Sequence, residues 1–358
     1  IGTSFRLPND INSFDNLYHV LSNKIDCIQE HPEDRFNSQD YYDKDNNIGK
    51  IRTKRGGYTN NIFDFDAEFF NISPKEAKSM DPQQRKMLEL IYECIEDSKI
   101  KPDNFKGSKT GVFVGSCSME YFNAESEDPE YCNEYSVTGG LLTLLSNRIS
   151  YYFDLKGPSL TLDTACSSSG HALHLACQSI INGESEMCFV GGSNILLSPE
   201  TFVGFSQATM LSPDGKCKTF DEKANGYVRS EGFVSLLIKP LDKAIQDNNK
   251  IYAVINKTGI NQDGKTASIT MPNPDSQMEL LEELYQDIDL NDLLFIEAHG
   301  TGTIVGDYNE TLSIGTVLGK NKTNKLKIGS IKSNIGHLEA ASGLASILKV
   351  CLMMQKKE

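Results

Sequence analysis

The sequence predicts an α/β protein, and three observations carry that prediction. Short apolar runs bounded by Gly, Pro or Asn read as buried strands. Between them lie stretches whose apolar residues recur at helical spacing. Strands that alternate with helices in this way build a sheet covered on both faces. At 358 residues the chain can also bury a large core, as one α/β unit or as two fused halves.

Residues 1–60 are polar, rich in Asn and Asp, and read as loops and short helices around a few anchors. Ser73-Pro74-Lys75-Glu76 has the form of a capping box with Pro at the first helical position. Asp81-Pro82 starts a second helix in the same way, and Met87, Leu88, Ile91, Tyr92 and Ile95 share one of its faces. Strands are expected at 111–115, 159–163, 187–191, 233–238, 251–255, 293–297 and 326–331. Lys239-Pro240, followed by the charged stretch 242–250, is the best internal boundary. It divides the chain into residues 1–240 and 241–358, and a site shared by the two parts would lie at their junction.

The formal net charge of −14 argues against a nucleic-acid partner, which would call for a basic face. No apolar run is long enough to span a membrane and no signal peptide opens the chain. The nine cysteines are scattered and odd in number, with no Cys-x-x-Cys, which fits a reducing, cytoplasmic setting with mostly buried thiols. Three matches to the glycosylation pattern, at Asn256, Asn309 and Asn321, read as chance in an Asn- and Lys-rich sequence.

Three stretches carry reactive side chains in small-residue company: Asp163-Thr164-Ala165-Cys166-Ser167-Ser168-Ser169, Glu297-Ala298-His299-Gly300-Thr301-Gly302-Thr303 and Lys332-Ser333-Asn334-Ile335-Gly336-His337. One thiol and two imidazoles are the parts needed for acyl transfer through a thioester. Cys166 falls where a strand turns into a helix reading from Ser167 to Ile181. Unpaired N–H groups and the positive helix end there favour the thiolate, the nucleophilic form. Buried structural roles suit Cys94, Cys177 and Cys188 better than Cys166, which has three serines and an Asp around it.

His299 follows an apolar strand and precedes Gly-Thr-Gly-Thr, whose glycines allow close backbone approach and whose Thr301 and Thr303 hydroxyls can bond amides of an extended ligand. His337 is expected to open a buried helix rich in Ala, Ser and Gly. Burial and the helix end both disfavour the imidazolium, leaving a neutral N–H donor able to hold an enolate or oxyanion. Lys332 could pair with a carboxylate, Glu339 being one candidate. His171 and His174 lie on the helix behind Cys166 and read as packing residues, and a metal site on Cys166, His299 and His337 would need a fourth ligand that the pattern does not offer.

These three motifs resemble the active-site motifs of β-ketoacyl synthases, the condensing domains of polyketide synthases and animal-type fatty acid synthases. The resemblance extends over nearly the whole chain, through Phe69-Phe70-Asn71-Ile72-Ser73-Pro74, Met80-Asp81-Pro82-Gln83-Gln84-Arg85, Thr110–Gly115, Met210–Gly215 and Asn261-Gln262-Asp263-Gly264. The last of these, with Gly226-Tyr227-Val228-Arg229-Ser230-Glu231-Gly232, looks more like a polyketide synthase. It implies a thiolase-like fold, two similar α/β halves of βαβαβαββ type stacked in five layers (α-β-α-β-α), usually as a homodimer.

The same resemblance implies that Cys166 is acylated by the incoming chain. His299 and His337 would promote decarboxylation of a malonyl-type extender, Lys332 would organise the site, and Thr301 and Thr303 would contact the 4′-phosphopantetheine arm of an acyl carrier protein. An acyltransferase domain would be a further partner in the same polypeptide or complex. Two departures stand out. Tyr308-Asn309 replaces the usual Pro-Ile between Asp307 and Glu310, changing the stiffness of an expected loop, and Gly170-His171 replaces an apolar pair. Against the family pattern both ends are expected to be cut, with a first strand before Ile1 and a Gly-Phe-Gly-Gly-type loop after Glu358, leaving the second half incomplete. The alternative functions are a non-catalytic, chain-length-shaping partner, which would need none of the three reactive residues, and a biosynthetic thiolase, for which Cys351 is a poor second cysteine.

Overall fold

A computed structural model describes residues 1–320 and 322–358, so Asn321, the acceptor of one glycosylation match, lies outside the described residues. The described strands are β1 (Gly2–Arg6), β2 (Ile28–Glu30), β3 (Arg55–Gly57), β4 (Thr110–Gly115), β5 (Ser159–Leu162), β6 (Met187–Asn194), β7 (Gly232–Ile238), β8 (Phe295–Glu297) and β9 (Lys327–Gly329). Five of them form one mixed sheet in the order β1-β7-β6-β4-β5. Within it β4 is parallel to both β5 and β6, whereas β7 is antiparallel to both β6 and β1. A small antiparallel pair, β2–β3, and a parallel pair, β8–β9, stand apart from it.

Alternation along the central strands assigns the two faces. Phe113, Val190, Val234 and Leu236 point into one core with Leu173, Leu344 and Leu348. Val112, Val114, Phe189, Phe233 and Leu237 point into the other, against Met87, Leu88, Ile91 and Ile95 of the helix Pro82–Ser98. The sheet is therefore the middle layer between that helix and the pair Ser168–Ile181 and Ser342–Lys356, as period-two alternation with both faces buried requires. The helix starts fall where their caps predict. The Glu76 N–H donates to the Ser73 hydroxyl, and the Gln83 N–H to the Asp81 carboxylate.

Two expectations are corrected. The first sixty residues contribute three strands as well as loops, because β1 needs only one apolar side chain in the core to pair along the edge of β7. The run 251–255 forms no strand. Ile251, Val254 and Ile255 are 38%, 49% and 42% exposed, since an apolar run becomes a strand only where an edge offers hydrogen bonds.

Gly115 ends β4 directly beneath the start of the helix Ser168–Ile181. A Cβ there would lie 2.5 Å from the Ser168 carbonyl carbon, so this glycine sets how closely the helix behind Cys166 approaches the sheet. Gly115→Ala should destabilise the fold by about 2 kcal/mol or more, because backbone rather than a flexible side chain must move. Urea unfolding checks this; a midpoint equal to the parent protein's would show that the helix can lift without cost.

Candidate active site

Cys166 occupies the turn between β5 and the helix Ser168–Ile181, the junction expected of it. Ala165, just before it, is held in the left-handed region at φ 54°. That conformation is sustained locally: the Ala165 N–H donates to Asp163 at 2.8 Å and the Thr164 N–H donates to the Ser168 hydroxyl at 2.9 Å. The half-buried thiol departs from expectation in its ionisation. Burial pushes its pKa up, outweighing the Lys332 charge and a backbone N–H, both of which favour the thiolate. Position near a helix end therefore does not by itself leave Cys166 ionised.

His299 lies two residues beyond β8, in a loop pinned by two carboxylates of the following helix, Ile304–Val317. Glu310 accepts from the His299 and Gly300 N–H groups at 2.6 and 2.8 Å. Asp307 accepts from Gly302 at 3.0 Å and from Phe220 at 2.7 Å. Gly302 has φ 84°, and a Cβ on it would meet the Lys218 nitrogen at 2.6 Å, so the loop's shape depends on glycine there. Thr301 and Thr303 bring their hydroxyls within 3.3 Å of each other. Tyr308 and Asn309 belong to this helix and not to a loop, so their effect is on a helical turn.

His337 is 4% exposed and sits after the short helix Lys332–Ile335, which stops at Gly336 with φ 74°. The expected helix opening at His337 begins later, at Ser342, after a 3₁₀ turn over Glu339–Ala341. The Glu339 N–H donates to His337 Nδ1 at 3.0 Å, and the Ser342 hydroxyl lies 2.8 Å from the same nitrogen. A backbone N–H can only donate, so Nδ1 is the acceptor and the neutral ring carries its proton on Nε2. Burial first, then the Lys332 charge, hold the imidazolium pKa far below the ordinary value.

His299 is pushed the same way by enclosure and by Lys332. Unlike His337, it remains exposed at the surface. The two imidazoles face each other at right angles with ring centres 5.2 Å apart. Cys166, His299 and His337 bring Sγ and one nitrogen of each ring within 4.8 Å of one another. Such a trio could be read as a metal site, but a metal on His337 Nε2 would force the proton onto Nδ1, against the Glu339 N–H, beside a buried ammonium. The arrangement favours proton donation from Nε2.

Lys332 is 3% exposed, and burial lowers its pKa while Cys217, Glu310, Glu297 and Cys166 act to raise it. The expected pair with Glu339 does not form: Glu339 binds Arg229 instead, with Arg229 Nε to Oε1 at 2.6 Å and Nη2 to Oε2 at 3.0 Å. Among the described residues no carboxylate lies within 4 Å of the Lys332 ammonium. Sequence reasoning also missed the structural parts of Arg229, Glu120 and Ser342. The one available signal was the stretch Gly226–Gly232, noticed as a motif without a role.

The family model for the beta-ketoacyl synthase N-terminal domain matches residues 1–244, and that for the C-terminal domain matches residues 252–358. The highly reducing polyketide synthase poxF of Penicillium oxalicum is 42% identical over 363 residues, covering 100% of this chain and 14% of its own length. Reducing polyketide synthase FUB1 of Gibberella moniliformis is 45% identical over 359 residues, covering 99% of this chain and 15% of its own length. The solved ketosynthase from module 6 of the bacillaene synthase of Bacillus subtilis 168 is 39% identical with a TM-score of 0.91, over 100% of this chain and 61% of that one. The oxazolomycin ketosynthase domain OzmH KS7 of Streptomyces albus JA3453 gives 34% and 0.93, over 99% and 62%. The expected thiolase-like fold is thus the fold of this chain, which spans only a fraction of the curated relatives it matches.

Because the Lys332 charge opposes the rise in the Cys166 pKa, Lys332→Met should shift the pH inflection of Cys166 alkylation by iodoacetamide upward. At neutral pH alkylation should slow. Mass-spectrometric labelling rates across pH check this, and an unchanged or lower inflection would mean that the thiol does not feel Lys332.

Proposed function

Since this chain belongs to the β-ketoacyl synthase family, we propose that it catalyses decarboxylative Claisen condensation in polyketide biosynthesis. The observation that carries the reading is the approach of Cys166 Sγ and the two imidazoles within 4.8 Å, with His337 held as an Nε2–H donor. Fatty acid biosynthesis is the less favoured setting, as the curated relatives named above are polyketide synthases.

In the first half-reaction Cys166 gives up its thiol proton and Sγ attacks the thioester carbonyl of an acyl chain carried on 4′-phosphopantetheine. The acyl group passes to Sγ, and the departing carrier thiolate takes up the proton that Cys166 released. A malonyl-type thioester then enters along Thr301 and Thr303, whose hydroxyls suit the amides of the carrier arm. His299 and His337 donate N–H groups to its thioester carbonyl oxygen. The bond to the malonyl carboxylate breaks, carbon dioxide leaves, and the electron pair becomes an enolate held by those donors. The enolate carbon attacks the acyl carbonyl on Cys166; a carbon–carbon bond forms and the cysteine thiolate departs. Neutral imidazoles suit this step, since the enolate needs donors and no proton is removed from carbon.

The proposed partners are an acyl carrier protein, an acyltransferase domain in the same polypeptide or complex, and a second copy of the chain. The proposed halves are residues 1–240 and 241–358, a boundary a few residues before the gap 245–251 between the two matched family domains. No described helix is long and apolar enough to cross a membrane. The unpaired cysteines favour a reducing, cytoplasmic setting.

Cys166→Ala should abolish acyl loading from an acyl thioester while retaining part of the malonyl decarboxylation, whereas His337→Ala should lose decarboxylation and still be alkylated at Cys166. Release of labelled carbon dioxide and intact-protein mass read the two steps separately. Loss of both steps in both folded variants would contradict this division of roles.

A further inference from the structure

The stretch Gly226–Gly232 has no part in the chemistry above, yet it runs alongside His337 through its whole middle. The His337 N–H donates to the Val228 carbonyl at 2.8 Å, and the Ser230 N–H donates to the His337 carbonyl at 2.9 Å. Arg229, between those two contacts, turns its fully buried side chain toward Glu339. The guanidinium binds the carboxylate through two parallel hydrogen bonds, lies 3.5 Å from Glu120 and stacks 4.5 Å from the Phe202 ring centre. Glu120 in turn accepts from the Leu197 and Ser198 N–H groups, so the guanidinium is held from several sides.

Glu339 is the residue whose N–H reaches His337 Nδ1, and it does so from φ 45°, a left-handed conformation that non-glycine residues rarely adopt. Such a turn persists only where its surroundings over-determine it. We propose that Arg229 is a positioning residue for condensation: its forked bond to Glu339 holds the left-handed turn that fixes His337 as the Nε2–H donor. Without that fork the Glu339 N–H can swing off Nδ1, the ring can take either tautomer, and the Nδ1–H form offers a lone pair where the enolate needs a donor. The Ser342 hydroxyl cannot substitute, because it can accept from Nδ1–H as readily as donate to Nδ1. This inference rests on the condensing function proposed above.

Two variants test it in the folded protein. Glu339→Gln keeps size and shape but loses the charged fork, and Arg229→Lys keeps the charge without planar bidentate geometry. Both should lower kcat for malonyl decarboxylation by about a hundredfold, the scale of a misplaced catalytic group. Acyl loading of Cys166 should not fall. Nitrogen-15 NMR of the His337 ring should change from a single Nε2–H tautomer to a mixture. A single Nε2–H tautomer in both folded variants, or loading and decarboxylation falling together, would overturn the proposal. If the parent protein decarboxylates no malonyl thioester, the condensing function fails instead, and the ring spectra alone decide whether Arg229 fixes the tautomer.

Discussion

Burying the Lys332 ammonium beside a thiol and two imidazoles couples the protonation of all four groups. Its positive charge lowers the pKa of both histidines and opposes the rise that burial imposes on Cys166. These directions suit the proposed chemistry: the imidazoles stay neutral as donors, and Lys332 offsets part of the penalty that burial places on the thiolate. The carboxylates of Glu297 and Glu310 help keep the ammonium charged, yet neither pairs with it directly; each is occupied by backbone N–H groups or by Lys349. An ammonium neutralised by direct contact would have less field to offer the site.

Each reactive group is delivered by a backbone turn and not by the interior of a helix or strand. Ala165 precedes Cys166 at φ 54°, Gly300 follows His299 at φ 47°, and Gly336 and Glu339 flank His337 at φ 74° and 45°. A left-handed residue turns the chain sharply, so a side chain next to it can stand clear of the strand or helix that supports it. The Cys166 turn sits at the end of β5 in the five-stranded sheet, the His299 turn follows β8 of the separate parallel pair, and the His337 turn follows the short helix Lys332–Ile335. The site is precise because these supports are stiff, and reactive because the turns are not repetitive.

How much of this was legible in the sequence depended on what each feature needs. Strands β4, β6 and β7 were visible because they are short, apolar and bounded, and the junction at Cys166 was visible because a strand pattern meets a helix pattern there. β1, β2 and β3 were hidden, since an edge strand or a three-residue pair can be mostly polar. The run 251–255 was misread for the opposite reason: it has strand composition but no edge to pair with. The partner of Glu339 could not be read at all. Arg229 is 110 residues away, and their meeting follows from residues 228–230, just before β7, running alongside His337.

The buried ionic groups around the site pose a further question, because burying ion pairs seldom adds stability over well-packed apolar residues. Arg229–Glu339, Arg35–Glu231 and Lys349–Glu297 each lie almost wholly inside the protein. Their partners explain them better than any stability argument. Glu231 accepts from the Thr59 and Leu196 N–H groups, Glu120 from Leu197 and Ser198, and Glu297 from Ile331, all in segments that leave regular structure. Such turns have backbone N–H groups with no ladder to bond, and leaving one buried and unpaired costs about 1–3 kcal/mol. An apolar residue would fill the space but satisfy none of them. The carboxylates direct individual N–H groups, the basic residues make the carboxylates tolerable inside, and orientation of the reactive side chains is what this costly arrangement secures.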